Sequence, residues 1–221
     1  MEDFFPQPVF SIFGIAVRDS VTSTWIMMAL ILALVILVRR RRPEALEMLI
    51  ASLGDTVSDI MGRPAEPYLP FLGALAIFIA VANLLGILPS IPLPNTRMLR
   101  IISPTRDVNT PLALAIVVFF SVHYFGMRAK GVLGYLKDLA SPIFMLPLEV
   151  IGQLSRTLSL TLRLFGNIIS TDLIVAVIFA LVPLLVPLPM VGLSMFTGLL
   201  QAFIFTALAA VFISAGLEAS D

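Results

Sequence analysis

The sequence predicts an all-α polytopic membrane protein of about five transmembrane helices, the last two forming a long tilted hairpin, with an interfacial amphipathic helix added. Three observations carry this expectation. The 221 residues are 59% hydrophobic and 13% charged, where roughly 25% charge is usual for a soluble domain, and mean hydropathy is +1.04. At least three apolar runs approach or exceed the roughly 18 residues needed to cross a bilayer. A further apolar stretch, residues 141–185, is too long for one straight crossing and still carries charges. Lys and Arg (14) balance Asp and Glu (14), and cysteine is absent. No basic face for nucleic acid is expected, nor a zinc cluster or disulfide frame, and the redox compartment is unreadable. The chain reads as a single membrane domain, 1–221.

Residues 1–20 form an external N-terminal segment holding Glu2, Asp3, Arg18 and Asp19. A secretory signal places positive charge ahead of its apolar core, so no cleavable signal is expected. Residues 21–38 are uncharged, with Trp25 near one end and Arg39 to Arg42 directly after. They read as the first span, N-terminus outside. In residues 44–62, Leu46, Leu49, Ile50, Leu53, Val57, Ile60 and Met61 recur at helical steps opposite Glu44, Glu47, Asp55 and Asp59, the pattern of an amphipathic helix. It reads as an interfacial helix, although its polar face is acidic and a surface helix of a cytoplasmic loop fits nearly as well.

Residues 69–89 are the second span, interrupted only by Asn83, and residues 111–127 the third. Between them the Pro- and Arg-rich SIPLPNTRMLRIISPTRDVNTP reads as an ordered loop with turn signals. Arg39 to Arg42, Arg63, Arg128, Lys130 and Lys137 fall inside, while Arg18, Arg97, Arg100 and Arg106 fall outside. That bias supports the N-out orientation. A helix over 143–185, at 1.5 Å per residue, would be about 65 Å long against a hydrocarbon core of about 30 Å. It must tilt, break or protrude. A reversal at PLLVPLP then leads into the last helix, 188–217, and leaves the C-terminus inside.

Charges in an apolar segment cost from about 2.5 to over 10 kcal/mol, so each needs a partner, a wet cavity or a function. At about 100° per residue, with Arg163 as zero, Glu149 falls near +40°, Arg156 near +20°, Ser159 near −40°, Asn167 near +40° and Ser170 near −20°. They form one polar stripe. Asp172 falls on the opposite face and cannot pair with Arg163 along the same helix. One reading pairs Arg163 with Glu149 or another acid inside the bundle. The other gives it a partner in another subunit, since no later span offers a carboxylate before Glu218.

The segment SRTLSLTLRLFGNIISTDL, residues 155–173, closely resembles the signature of subunit a of F-type ATP synthases, in which LRLFGN contains the indispensable arginine. NLLGILP, SPTRDVNTPLALA and LLQAFIF match in the same order, so the resemblance covers most of the chain from about Tyr68. It implies an ion-translocating stator subunit, not itself catalytic, that couples H⁺ flow, with Na⁺ as the alternative ion, to rotation. It implies as partners a ring of c subunits, b-type peripheral stalk subunits, the catalytic ATPase head through the stalk, and membrane lipid. The bacterial inner membrane is the implied location, and no cofactor or metal is implied.

By position, Arg163 resembles the arginine facing the ring and Asn167 the polar residue one turn later. Asp172 resembles an acid of the outer half-channel, with Gln201 its polar partner, and Glu149 with Ser159 the inner access path. Two departures stand out. Asp172 occupies a position where many relatives carry Glu, and Ser194 one where His or Glu is frequent. Arg156 replaces what is often a lysine or neutral residue and reads most simply as a charge near the inner interface.

His123, the sole histidine, reads as a packed or interface-seated imidazole, and Asn83 and Asn109 as packing or capping residues. No Walker loop or nucleophile elbow is present, which places ATP chemistry on other subunits. A secondary transporter binding an anion at Arg163 is the rival reading, and a membrane scaffold the third. The transporter expects internal repeats with paired broken helices, and spans two and four share no pattern.

Overall fold

The structure is a computed structural model that describes residues 8–12, 15–41, 44–86, 103–139, 146–181 and 187–218. An antiparallel hairpin of β1 (Pro8–Ile12) and β2 (Ile15–Arg18) precedes the first span. Strands this short leave no periodic signal in so apolar a sequence, and hydropathy did not anticipate them. Among the described residues every later element is a helix, as expected of an all-α membrane protein. α1 (Asp19–Arg41) covers the first span and α2 (Glu44–Met61) the amphipathic segment. α3 (Leu69–Leu85) covers most of the second span, whose expected end at 87–89 lies outside the described residues. α4 (Asn109–Lys130) contains the third span. A short helix the sequence did not suggest, α5 (Val132–Leu139), follows the left-handed Gly131. α6 (Leu146–Leu181) and α7 (Pro187–Glu218) are the two long helices, and the expected 143–145 and 182–185 of the former lie outside the described residues.

Among the described residues four helices, α1, α4, α6 and α7, are long and apolar enough to cross a membrane, while α3 is a shorter apolar helix. The 17 residues of α3 make about 25 Å of helix and the 36 of α6 about 54 Å. α6 is unbroken over that length, so of the three ways to fit a bilayer only tilt or protrusion remains. Its interior hydroxyls bond back to the preceding turn, Thr157 to the Gln153 carbonyl at 3.0 Å and Thr161 to that of Thr157 at 2.9 Å. That satisfies polar groups without a break in the helix.

The helices α1, α3, α4, α6 and α7 alternate in direction. At one end Ser20, at the start of α1, donates to Asp107 Oδ2 ahead of α4 at 3.1 Å. Ser103 donates there to the Ala82 carbonyl of α3 at 2.8 Å. At the other end Ser214 of α7 donates to the Met61 carbonyl of α2 at 3.0 Å. α7 runs through the middle of the core. Its Ala202, Phe205, Ala209, Ala210 and Ile213 pack with Leu72, Leu75 and Ile79 of α3, Ala115, Val118 and Val122 of α4, and Leu160 and Leu164 of α6. Small residues let the backbones approach: a Cβ on Gly198 would stand 3.0 Å from that of Asn83, and one on Gly216 would stand 2.9 Å from Val122.

The second half of α2 joins this core through Val57 and Met61, whereas Ile50 of the first half is exposed. Of the expected apolar face, the side chains of Leu46 and Leu49 lie outside the described residues. The acidic face is outward, with Glu44, Glu47, Asp55 and Asp59 exposed. The chain then turns through the left-handed Gly62 toward α3.

Candidate functional site

The polar groups of α6 are distributed along its length and around its circumference. Arg163 is exposed, and its side chain makes no hydrogen bond or ion pair among the described residues. Ser159 and Ser170 share that open face, together with Leu162, Leu173, Ile174 and Val177. Leu160, Thr161, Leu164 and Ile168 form the buried face. Arg163 and Glu149 are not paired. Glu149 instead accepts a hydrogen bond from Gln153 Nε2 at 3.0 Å and meets Arg156 at 4.0 Å. Arg156 also lies over the Phe212 ring of α7, 5.6 Å from its centroid, so both its charge and its flat face are engaged within the bundle.

Asn167 departs from the position its angle suggested. It is partly buried, and its Nδ2 donates to the Thr197 carbonyl of α7 at 3.4 Å. A stripe about 80° wide straddles the margin of the α6–α7 contact, so Ser159, Arg163 and Ser170 fall outside that contact and Asn167 inside it.

Behind that margin is a cavity of about 440 Å³ lined by Asn83, Arg106, Asn167, Asp172, Ser194 and Thr197, among others. It occupies the end of the bundle where α1 and α4 begin. Asp172, Ser194 and Asn167 are brought together here. Gln201 does not line the cavity. It is buried at 5% exposure, two turns further along α7, and its Nε2 has no partner among the described residues. Ser194 donates to its own helix, to the Met190 carbonyl at 2.9 Å, which leaves its lone pairs available to the cavity.

The wall opposite α6 is built by the chain between α3 and α4. Pro104–Arg106 form a tight 3₁₀ turn with Thr105 fully buried. Thr105 donates to Asn83 Oδ1 at 2.9 Å, and its hydroxyl oxygen lies 2.6 Å from that of Ser103. Asn83 Nδ2 donates on to the Gly198 carbonyl of α7 at 2.8 Å. Asn83 is thus a packing residue in the full sense, holding turn, α3 and α7 together. The same turn presents Arg106, whose Nε lies 3.4 Å from Asp172 Oδ2. Sequence reasoning assigned Arg106 no more than a place among the outer charges. Its only signal was a guanidinium in the loop on the same side as a carboxylate lacking a mate, and a pairing across 66 positions leaves no pattern in one chain.

A second, smaller cavity of about 90 Å³ lies toward the other end of α6, lined by Phe119, His123, Leu146, Glu149, Val150, Gln153 and Leu154. Glu149 therefore lines a cavity, while Ser159 stands apart on the open face. His123 packs between the rings of Phe119 and Tyr135, at centroid distances of 4.5 and 5.9 Å. Asn109 is the first residue of α4 and not its cap; its backbone N–H and Nδ2 both donate to Asp107 Oδ1, at 3.1 and 2.8 Å.

Several helices long and apolar enough to cross a membrane, with Arg163 on an open face of α6 and Asp172 in a cavity behind it, define a multi-pass membrane protein. A family model described as ATP synthase A chain matches residues 21–214. The chain is 42% identical over 217 residues to ATP synthase subunit a 2 of Bradyrhizobium sp. (strain BTAi1), covering 95% of this chain and 93% of that protein. It is 41% identical to ATP synthase subunit a 2 of Acaryochloris marina, covering 80% and 72%, and 33% identical to ATP synthase subunit a of Legionella pneumophila, covering 100% and 95%. The chain belongs to the ATP synthase A chain family, a membrane subunit that is not the catalytic one.

Proposed function

We propose that this chain is the ion-translocating stator subunit of a rotary F-type synthase, with two half-channels separated by Arg163. One observation carries the reading: the two cavities flank α6 toward opposite ends, Arg163 lines neither, and Arg163 occupies the open face between them. Along the helix Asp172 is about 14 Å from Arg163 in one direction and Glu149 about 21 Å in the other. Under the N-out orientation the Asp172 cavity is the outer path, and the Glu149 cavity the inner one.

The open face is where a ring of c subunits docks, each presenting one membrane carboxylate. An ion crossing 100 mV releases about 2.3 kcal/mol, which becomes rotation only if the ion cannot pass directly between the paths. Arg163 is the block. Guanidinium keeps its proton even when desolvated, whereas a buried lysine can give its proton up. An empty ring carboxylate is drawn to Arg163 and released when it takes its next ion. b-type stalk subunits link the chain to the catalytic head, and lipid covers what the ring does not. H⁺ is the ion this reading favours over Na⁺, on the resemblance alone.

The docking face is tested by disulfide trapping against a cysteine on the outer helix of the ring subunit. Ser159→Cys and Ser170→Cys are expected to trap in high yield, Asn167→Cys and Arg156→Cys less, and Asp172→Cys not at all. Equal yield from position 172 would mean that another face of α6 meets the ring.

A further inference from the structure

The ion pair between Arg106 and Asp172 gives the outer cavity a property that its carboxylate alone would not have. We propose that Arg106 is the fixed counter-charge of Asp172 and sets how strongly the outer path holds a cation on its way to the ring. The inference rests on Asp172 being part of that path, as proposed above. Its own support is geometric. Arg106 is 86% covered and Asp172 64% covered, taking the side-chain exposures of 14% and 36%, and both face one cavity.

The turn that delivers Arg106 is fixed at several points. Thr105 and Ser103 are tied to Asn83 and to the Ala82 carbonyl, and Asn83 is tied to α7. The backbone that carries Arg106 is therefore held against the helix bundle, and its guanidinium faces Asp172 across the cavity at 3.4 Å. Nothing else charged competes at the cavity among its described lining residues: α3 contributes Asn83, Gly86 follows it, and α7 contributes Val191, Ser194, Thr197 and Gly198. The neighbouring Asp107 is engaged by Ser20 and Asn109, and Asp19 caps the Ser20 backbone at the start of α1. The cavity thus holds one cation and one anion in its walls.

A neutral pair and a bare carboxylate behave differently toward a passing ion. Against a bare carboxylate the ion meets a net negative site, which fills readily and empties slowly. Beside Arg106 an entering cation must compete with the guanidinium for the same oxygens, so occupancy is brief and the ion is passed on. Arg106 acts through Asp172 and is a positioning residue, distinct from Arg163, which faces the ring carboxylate.

The test uses the whole complex in liposomes, with ATP synthesis driven by imposed gradients while outer-side H⁺ is varied at fixed Na⁺, and then outer-side Na⁺ at fixed pH. Arg106→Gln is expected to lower the half-saturating concentration of the coupling ion about tenfold and to reduce the maximal rate; Arg106→Lys, which keeps the charge, is expected to stay closer to the parent. Asp172→Asn alone leaves an uncompensated guanidinium in the path and is expected to be slower than Asp172→Asn combined with Arg106→Gln. Immunoblots of assembled complex separate these effects from loss of protein. An unchanged half-saturation in Arg106→Gln, with Asp172→Asn impaired and not relieved by the second change, overturns the pairing and leaves the path intact. Parent-like transport in Asp172→Asn overturns the outer-path reading itself.

Discussion

Arg163→Ala is expected to abolish ion-coupled ATP synthesis while leaving assembly of the complex intact. The side chain is exposed in the isolated chain and contributes no hydrogen bond or ion pair to the bundle among the described residues. Its removal therefore takes away function and little fold, since surface changes without such contacts fall within about 0.5 kcal/mol. On the proposed function, what disappears is the charge that attracts the empty ring carboxylate and keeps the two ion paths apart. Arg163→Lys is expected to fail as well, because an ammonium has a different reach and can surrender its proton when desolvated. ATP-driven ion pumping in inverted vesicles, beside an immunoblot of the subunit, measures both. Near-normal pumping by Arg163→Ala contradicts the assignment.

Asp172→Asn is the second large effect. Asparagine fills the same space in the 440 Å³ cavity but offers no charge to an entering cation and leaves Arg106 opposite a neutral amide. Transport is expected to fall by an order of magnitude or more, taking roughly 1.4 kcal/mol per tenfold as the scale. Asp172→Glu keeps the charge and is expected to retain most of the activity, with the longer side chain reaching across the 3.4 Å contact into the cavity. Initial rates of ATP-driven transport by purified complex in liposomes decide it. Full activity in Asp172→Asn removes this residue from the path. The same assay with and without Na⁺ and an uncoupler identifies the ion: transport that requires Na⁺ and survives uncoupler identifies Na⁺.

The helical architecture was legible because hydropathy reports burial in lipid residue by residue, and α1, α4, α6 and α7 are each long enough to average over local exceptions. The opposed placement of Arg163 and Asp172 was legible for a similar reason: one unbroken helix makes angle a function of sequence spacing alone. Where a second element decides the outcome, that arithmetic stops. Asn167 shares the stripe by angle but is claimed by the Thr197 carbonyl of α7, and Gln201 shares a face with Ser194 but lies beyond the cavity that Ser194 lines. The Arg156–Glu149 pair was within reach of helical spacing, while the stacking of Arg156 on Phe212 was not. Arg106 reaches Asp172 from a turn whose Ser103 and Thr105 are bonded to α3, a tertiary contact without local periodicity.

The central claim is that Arg163 keeps the two ion paths apart, and it is tested most directly by passive ion leak through the membrane sector with the ring held still. The sector is reconstituted without the catalytic head, the ring is locked to the stator by a disulfide at Ser159→Cys, and ion flux is followed under an imposed diffusion potential. With Arg163 present the locked sector is predicted to be tight, with flux returning when the disulfide is reduced and the ring turns. With Arg163→Ala the locked sector is predicted to leak. A locked Arg163→Ala sector as tight as the locked parent would contradict the account.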